Sequence, residues 1–178
     1  MNSTLAVGIP EAHEYATFYG RYISLISDPH IVDVLSKQGE QTLEMLSSRS
    51  ETDGNFRYAP GKWTLKEVLG HMNDAERIFA YRLLRIARGD QTPLAGFEQD
   101  DYIANGPFAR CKLADLLQET SEIRKATLSL VRNLQPEAWM RRGTASGAEI
   151  TVRALAYTLA GHEQHHQRIL REKYLPTS

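Results

Sequence analysis

The sequence predicts an all-α fold, a four-helix bundle with a long connection between its second and third helices. Two observations lead there. Four stretches carry apolar residues at steps of three and four, the period of a single buried helical face. No stretch alternates apolar and polar residues convincingly enough to read as a strand, and no repeat or low-complexity tract appears. At 178 residues the chain is long enough to bury a core. It reads as one domain over 1–178, with 1–30 as a lead-in packed on the bundle.

In that lead-in Tyr15, Phe18, Tyr19, Tyr22 and Ile23 form an aromatic-rich segment, either a short helix or a packed extended stretch. Asp28-Pro29 then opens the first long helix, expected over about 31–48 on Val34, Leu35, Leu43 and Leu46. Pro60-Gly61 breaks the chain before Trp63. Thr64 is a good N-cap, and Glu67 completes a capping box, so the second helix starts here. Its stripe is Leu65, Val68, Met72, Ala75, Phe79, Leu83 and Ile86, and Gly89-Asp90 ends it. The connection 91–111 holds Pro93, Gly96, Gly106 and Pro107 and is long for a compact domain, a length that often signals function. The third helix is expected over about 113–134 on Leu116, Leu117, Ile123, Leu130 and Val131. Pro136 starts a connection holding Trp139, Gly143 and Gly147, and the fourth helix covers about 151–173.

Charge narrows the partners. Lysine plus arginine number 21 against 22 aspartate plus glutamate, a balance that gives no footprint for nucleic acid or an anionic membrane. Cys111 is the only cysteine, which excludes an intramolecular disulfide and fits a reducing compartment. No apolar run reaches the roughly 20 residues of a membrane span, and the first residues lack a signal peptide's basic start. A cytoplasmic protein acting on a small-molecule substrate is the expectation.

The chemistry concentrates in the fourth helix. Positions 152, 155, 159, 162, 166 and 169 fall on one seam, so His162 and His166 stand where core residues belong. Side chains four apart on a helix have Cβ atoms roughly 5–6 Å apart, close enough for two imidazoles to converge on one ion. On the second helix His71 follows Val68 and precedes Ala75, at the edge of the apolar stripe. A bundle builds metal sites from inward residues of facing helices, and three neutral imidazoles suit one divalent ion such as Zn²⁺ or Ni²⁺. Three protein ligands leave a position for water or substrate, the pattern of a catalytic site. The competing reading is a hydrogen-bonded histidine cluster without metal. His165 is the rival for a ligand position, but one residue of helical rotation turns it off the seam. His13 and His30 lie near helix boundaries and receive no role.

These residues also carry a resemblance. Trp63-Thr64, Glu67-Val68-Leu69-Gly70-His71 and Asp74-Ala75-Glu76-Arg77 resemble the second helix of the DinB-like (DinB/YfiT) superfamily. The segment Ala160-Gly161-His162-Glu163-Gln164-His165-His166 with Ile169-Leu170 is similar to that family's C-terminal ligand pair. Weaker likeness extends through Arg82, Gly89-Asp90, Pro93-Leu94 and Asp100-Asp101-Tyr102, so that it covers about 31–173. The resemblance implies a four-helix bundle with one divalent metal on His71, His162 and His166. It implies an activity among thiol-dependent transferases, with bacillithiol, mycothiol or glutathione as cosubstrate, or among metal-dependent hydrolases. It also implies a homodimer.

No catalytic residue beyond the ligands is assigned. Glu163 is either a carboxylate that orients an imidazole or a surface residue, with the surface favoured. Asp74 is expected in a salt bridge with Arg77 or Arg82. Tyr102 either reaches a substrate or packs as an aromatic lid, and Trp63 plugs the core beside its helix start. Two further classes stay open: a non-enzymatic metal-binding or stress-associated bundle, and a helical interaction module whose histidines are merely packed.

Overall fold

Four long amphipathic helices bury their apolar stripes against one another in the computed structural model, which describes residues 6–175. The first five residues of the lead-in lie outside the described residues. The helices are α2 (Ile31–Leu46), α4 (Leu65–Ala87), α6 (Leu113–Arg132) and α7 (Val152–Ile169), with ends close to those expected. Both α2 and α4 pack on α6 and on α7, so α2 and α4 occupy opposite corners of the bundle. The aromatic lead-in resolves as a helix, α1 (Thr17–Ile23), lying along α7.

Local signals set these ends. The Thr64 hydroxyl accepts from the Glu67 amide at 3.2 Å while the Glu67 carboxylate takes the Thr64 amide at 2.6 Å, the expected capping box. At the far end of α4, Gly89 takes a φ of +81°, the left-handed conformation that stops a helix. Thr151 caps α7 through the Ala154 amide at 3.0 Å.

Three features depart from the expected pattern. A single turn, α3 (Glu51–Gly54), follows α2, and its Ser50–Asp53 capping box was not anticipated. The long connection 91–111 is not structureless; it contains α5 (Gln99–Asn105), which packs against α4. The connection after α6 holds an antiparallel hairpin, β1 (Arg142–Ala145) with β2 (Ala148–Thr151), where no strand was expected. Strands of four residues are too short to display a period, so only the turn could have shown them. Ser146 and Gly147 make it, with φ of 53° and 76°, the two positive angles of a type I′ turn.

The apolar interior is one large cluster around Phe79, Trp139, Leu155 and Tyr157 and a smaller one around Leu69, Phe108, Leu116 and Leu170. Among the described residues no helix is long and apolar enough to cross a membrane.

Candidate metal centre

His71 on α4 and His162 and His166 on α7 converge between the two clusters, and all three are buried. The Nε2 atoms of His71 and His162 are 3.0 Å apart, and those of His166 and His162 are 3.2 Å apart. One nitrogen from each of the three lies within 4.8 Å of the others. Two imidazoles bound to one zinc at about 2.0–2.1 Å have nitrogens about 2.9–3.4 Å apart for ordinary coordination angles. The observed spacings therefore fit a shared ion.

Without an ion the same geometry is awkward. The His162 Nε2 faces two other Nε2 atoms, and a neutral imidazole nitrogen is either a donor or an acceptor, never both. Nor does charge resolve it. Burial pulls the pKa of His71 down to about 4 and that of His166 to about 3, and holds His162 well below its ordinary range. Three uncharged nitrogens brought this close could serve as the donor set of a cation.

Two glycines let neighbouring segments close on this point. Gly70, just before His71, lies so near the Phe108 ring that a Cβ there would sit 2.2 Å from Cδ1. Gly161, just before His162, lies under the backbone carbonyl of Tyr22. Tyr22 in turn sets its ring edge-on to His162, at 5.3 Å, and to His165, at 5.8 Å.

Beside the histidines runs a buried polar network that sequence reasoning missed. Arg124 on α6 donates from Nε and Nη2 to the two carboxylate oxygens of Glu76, at 2.8 and 2.7 Å. Its Nη2 also donates to Glu163, at 2.6 Å, and its Nη1 to the Leu35 carbonyl, at 2.6 Å. The Thr42 hydroxyl completes Glu163 at 2.6 Å. All four bundle helices meet here. At formal charges, two carboxylates against one guanidinium leave the network one net negative charge. A hint existed in sequence: Glu76, Arg124 and Glu163 each fall where their helix turns inward, but partners so far apart in the chain cannot be paired from one sequence.

The structure sorts the remaining candidates. Glu163 is neither a surface carboxylate nor bonded to an imidazole; Arg124 and Thr42 use both its oxygens. The second nitrogen of His166, Nδ1, is buried with no partner among the described residues. His165 is exposed, as expected, although its ring packs on His166 at 5.1 Å. Asp74 pairs with Arg77 at 3.8 Å and not with Arg82. Tyr102 is exposed and packs on Phe97. Trp63 packs against the smaller cluster as expected, but only half-buried; its ring lies 5.1 Å from that of His71 and also walls a cavity.

Two cavities reach the histidines. One, of about 230 Å³, touches His71 and His162 and is walled by Phe18, Tyr22, Phe79 and Phe97. The other, of about 240 Å³, touches His166 and is walled by Tyr58, Trp63 and Tyr174. Cavities therefore approach the histidines from two sides.

Comparison with known proteins gives a family and a fold. A family model described as the DinB superfamily matches residues 35–170. No curated protein matches the chain. Among solved structures it is similar to YfiT from Bacillus subtilis, described as "a probable metal-dependent hydrolase with an unusual four-helix bundle topology". That match has a TM-score of 0.70 at 17% identity and covers 79% of this chain and 83% of the other, a likeness of fold.

Proposed function

Because the chain belongs to the DinB superfamily, we propose that His71, His162 and His166 hold one divalent metal ion, zinc, nickel or a similar borderline cation, and that the protein is an enzyme acting through it on a small molecule. The observation that carries this reading is the mutual approach of three neutral Nε2 atoms from two helices. When bound, such an ion supplies Lewis acidity, lowering the pKa of a water or thiol that it binds and polarising an electrophile.

The chain's own residues do the rest. The three imidazoles fix the position of the ion, and the Arg124–Glu76–Glu163 network fixes the helices that carry them. Phe79 and Tyr22 give the chamber beside His162 apolar walls, and Trp63 does so beside His71. Two cavities suit two substrates that meet at the ion, which favours transfer of a low-molecular-weight thiol to an electrophilic carbon. Hydrolysis, the activity in YfiT's description, is the second reading; it needs only water beside the substrate.

Metal analysis of purified protein is the first test. About one ion per chain is expected, lost in His71→Ala and in His166→Ala; protein that stays metal-free when offered zinc or nickel would end the reading. Turnover of electrophiles with and without bacillithiol, mycothiol or glutathione then separates transfer from hydrolysis. A loaded protein that turns over neither would be a metal-binding bundle, not an enzyme.

A further inference from the structure

The two arginines that the fold buries most deeply are treated differently. Arg124, 5% exposed, is neutralised by two carboxylates. Arg82 on α4 is 3% exposed and has no carboxylate within ion-pair distance among the described residues. Its Nη2 donates to the Ala95 carbonyl at 2.6 Å, and its other nitrogens have no protein acceptor among the described residues. None of those nitrogens is sealed off from water-sized space. Burial lowers the Arg82 pKa, opposed by Tyr19 and Tyr102 and by no carboxylate. A buried cation without a counter-charge is costly, and arginine cannot shed its proton to escape the cost. Such a group calls for an anion from outside.

The surroundings say where that anion sits. Arg82 follows His71 by three turns of α4, about 16 Å of rise, on the same face. Its side chain leans back by about one turn, toward the histidines. It lines the 230 Å³ chamber that ends at His71 and His162, and also a cavity of about 400 Å³ beside Tyr81, Arg85 and Tyr102 that does not reach the histidines. Between the two ends stand aromatic rings: Phe79 lies 5.6 Å from the His162 ring, and Phe79 and Phe97 each lie 5.9 Å from the Arg82 guanidinium. The loop over Arg82 is held by the hairpin, with the Leu94 amide donating to Thr144 and the Ser146 amide to Leu94, both at 2.9 Å. Glu98 at the rim is exposed and makes no ion pair with Arg82.

We infer that this chamber takes a small carboxylic acid, its carboxylate paired with Arg82, its apolar body against Phe79 and Phe97, and its reacting end toward His71 and His162. Arg21 also lines this chamber, but it is exposed at the rim with its guanidinium 4.7 Å from the Tyr22 ring; the one buried guanidinium fork, that of Arg82, matches one carboxylate in charge and shape. The position of the reacting end rests on the metal reading above; the carboxylate subsite does not.

The test uses metal-free protein, so that no ion competes for the anion, with phenylacetate and its neutral analogue phenylacetamide as probes, titrated by calorimetry and followed by amide NMR shifts. Phenylacetate is expected to bind at least about tenfold tighter than the amide, shifting the resonances of Ala95, Phe97 and Ser146. Arg82→Met should erase that preference while binding as much zinc as the parent protein. Should Arg82→Met fold poorly, Phe97→Glu supplies an internal carboxylate beside Arg82 and should exclude phenylacetate from an otherwise intact chain. Equal affinity for acid and amide, or an acid preference that survives either substitution, would overturn the subsite. A preference present in a protein that binds no metal would keep the subsite and remove the metal reading, so the two failures are distinct.

Discussion

Gly161 runs so close beneath Tyr22 that a Cβ built on it would lie 2.1 Å from the Tyr22 carbonyl oxygen. Backbone cannot swing aside as a side chain can, so α1 has to lift off α7 to admit even one methyl group. Gly161→Ala is expected to cost about 1–3 kcal/mol, the usual range for overpacking a tight contact. Urea melts measure it. Tyr22 also guards His162, so the same variant should load metal less tightly; unchanged stability would show that α1 is not clamped.

Arg124 is the only cation that Glu76 and Glu163 contact among the described residues. Removing one partner from a buried ion pair leaves the other charged and unsolvated, at about 3–5 kcal/mol. Arg124→Ala should lose that much, and Arg124→Lys should recover only part, since an ammonium cannot reproduce the paired donation to Glu76. Equilibrium unfolding is the check. A loss below about 1 kcal/mol, the level of an exposed pair, would mean that water reaches the network.

The long helices and the meeting of three histidines were legible because each rests on a local period: apolar residues at three and four, and histidines placed in that same rhythm. Thr64 and Glu67 marked a helix start to the residue because a capping box is complete within four positions. What stayed hidden was either too short to have a period, as with α3, α5 and the hairpin, or joined across the chain. Glu163 is the instructive case. Helical geometry placed it beside His162, but its role depends on Arg124, 39 positions away, and on Thr42, 121 away. In the sequence Arg82 stood as a potential salt-bridge partner and as part of a weak likeness; that it has no carboxylate partner among the described residues is a fact of three dimensions.

Acid should unfold the metal-free protein sooner than its carboxylates alone would require. Burial depresses the folded pKa of His71 to about 4 and of His166 to about 3, against 6.5 for an ordinary histidine. The unfolded chain therefore binds protons below about pH 6.5 that the folded chain refuses. By linkage, stability is full above that pH and is lost as pH falls toward 4 and then 3. The slope is about 1.4 kcal/mol per pH unit for each neutral imidazole. Urea midpoints measured between pH 4.5 and 7.5 should show it, and His166→Gln should remove one imidazole's share. Equal slopes in the two proteins would mean that His166 titrates normally.

The same burial makes the centre unusual as a metal site, which gives a further expectation. An exposed histidine pair must shed protons before it can ligate, so its metal affinity collapses below pH 6. Here the folded site is already deprotonated to about pH 4 at His71, so binding to the folded chain releases almost no protons. Zinc at a hundredfold excess over its dissociation constant should stabilise the protein by about 2.7 kcal/mol, roughly 5–10 °C in melting temperature. That increment should be nearly the same at pH 7.5 and pH 6, where a surface site would have lost most of it, and absent in His71→Ala. Differential scanning calorimetry at the two pH values decides it: an increment that falls steeply between them places the ion on exposed histidines, and one that survives His71→Ala places it elsewhere in the chain.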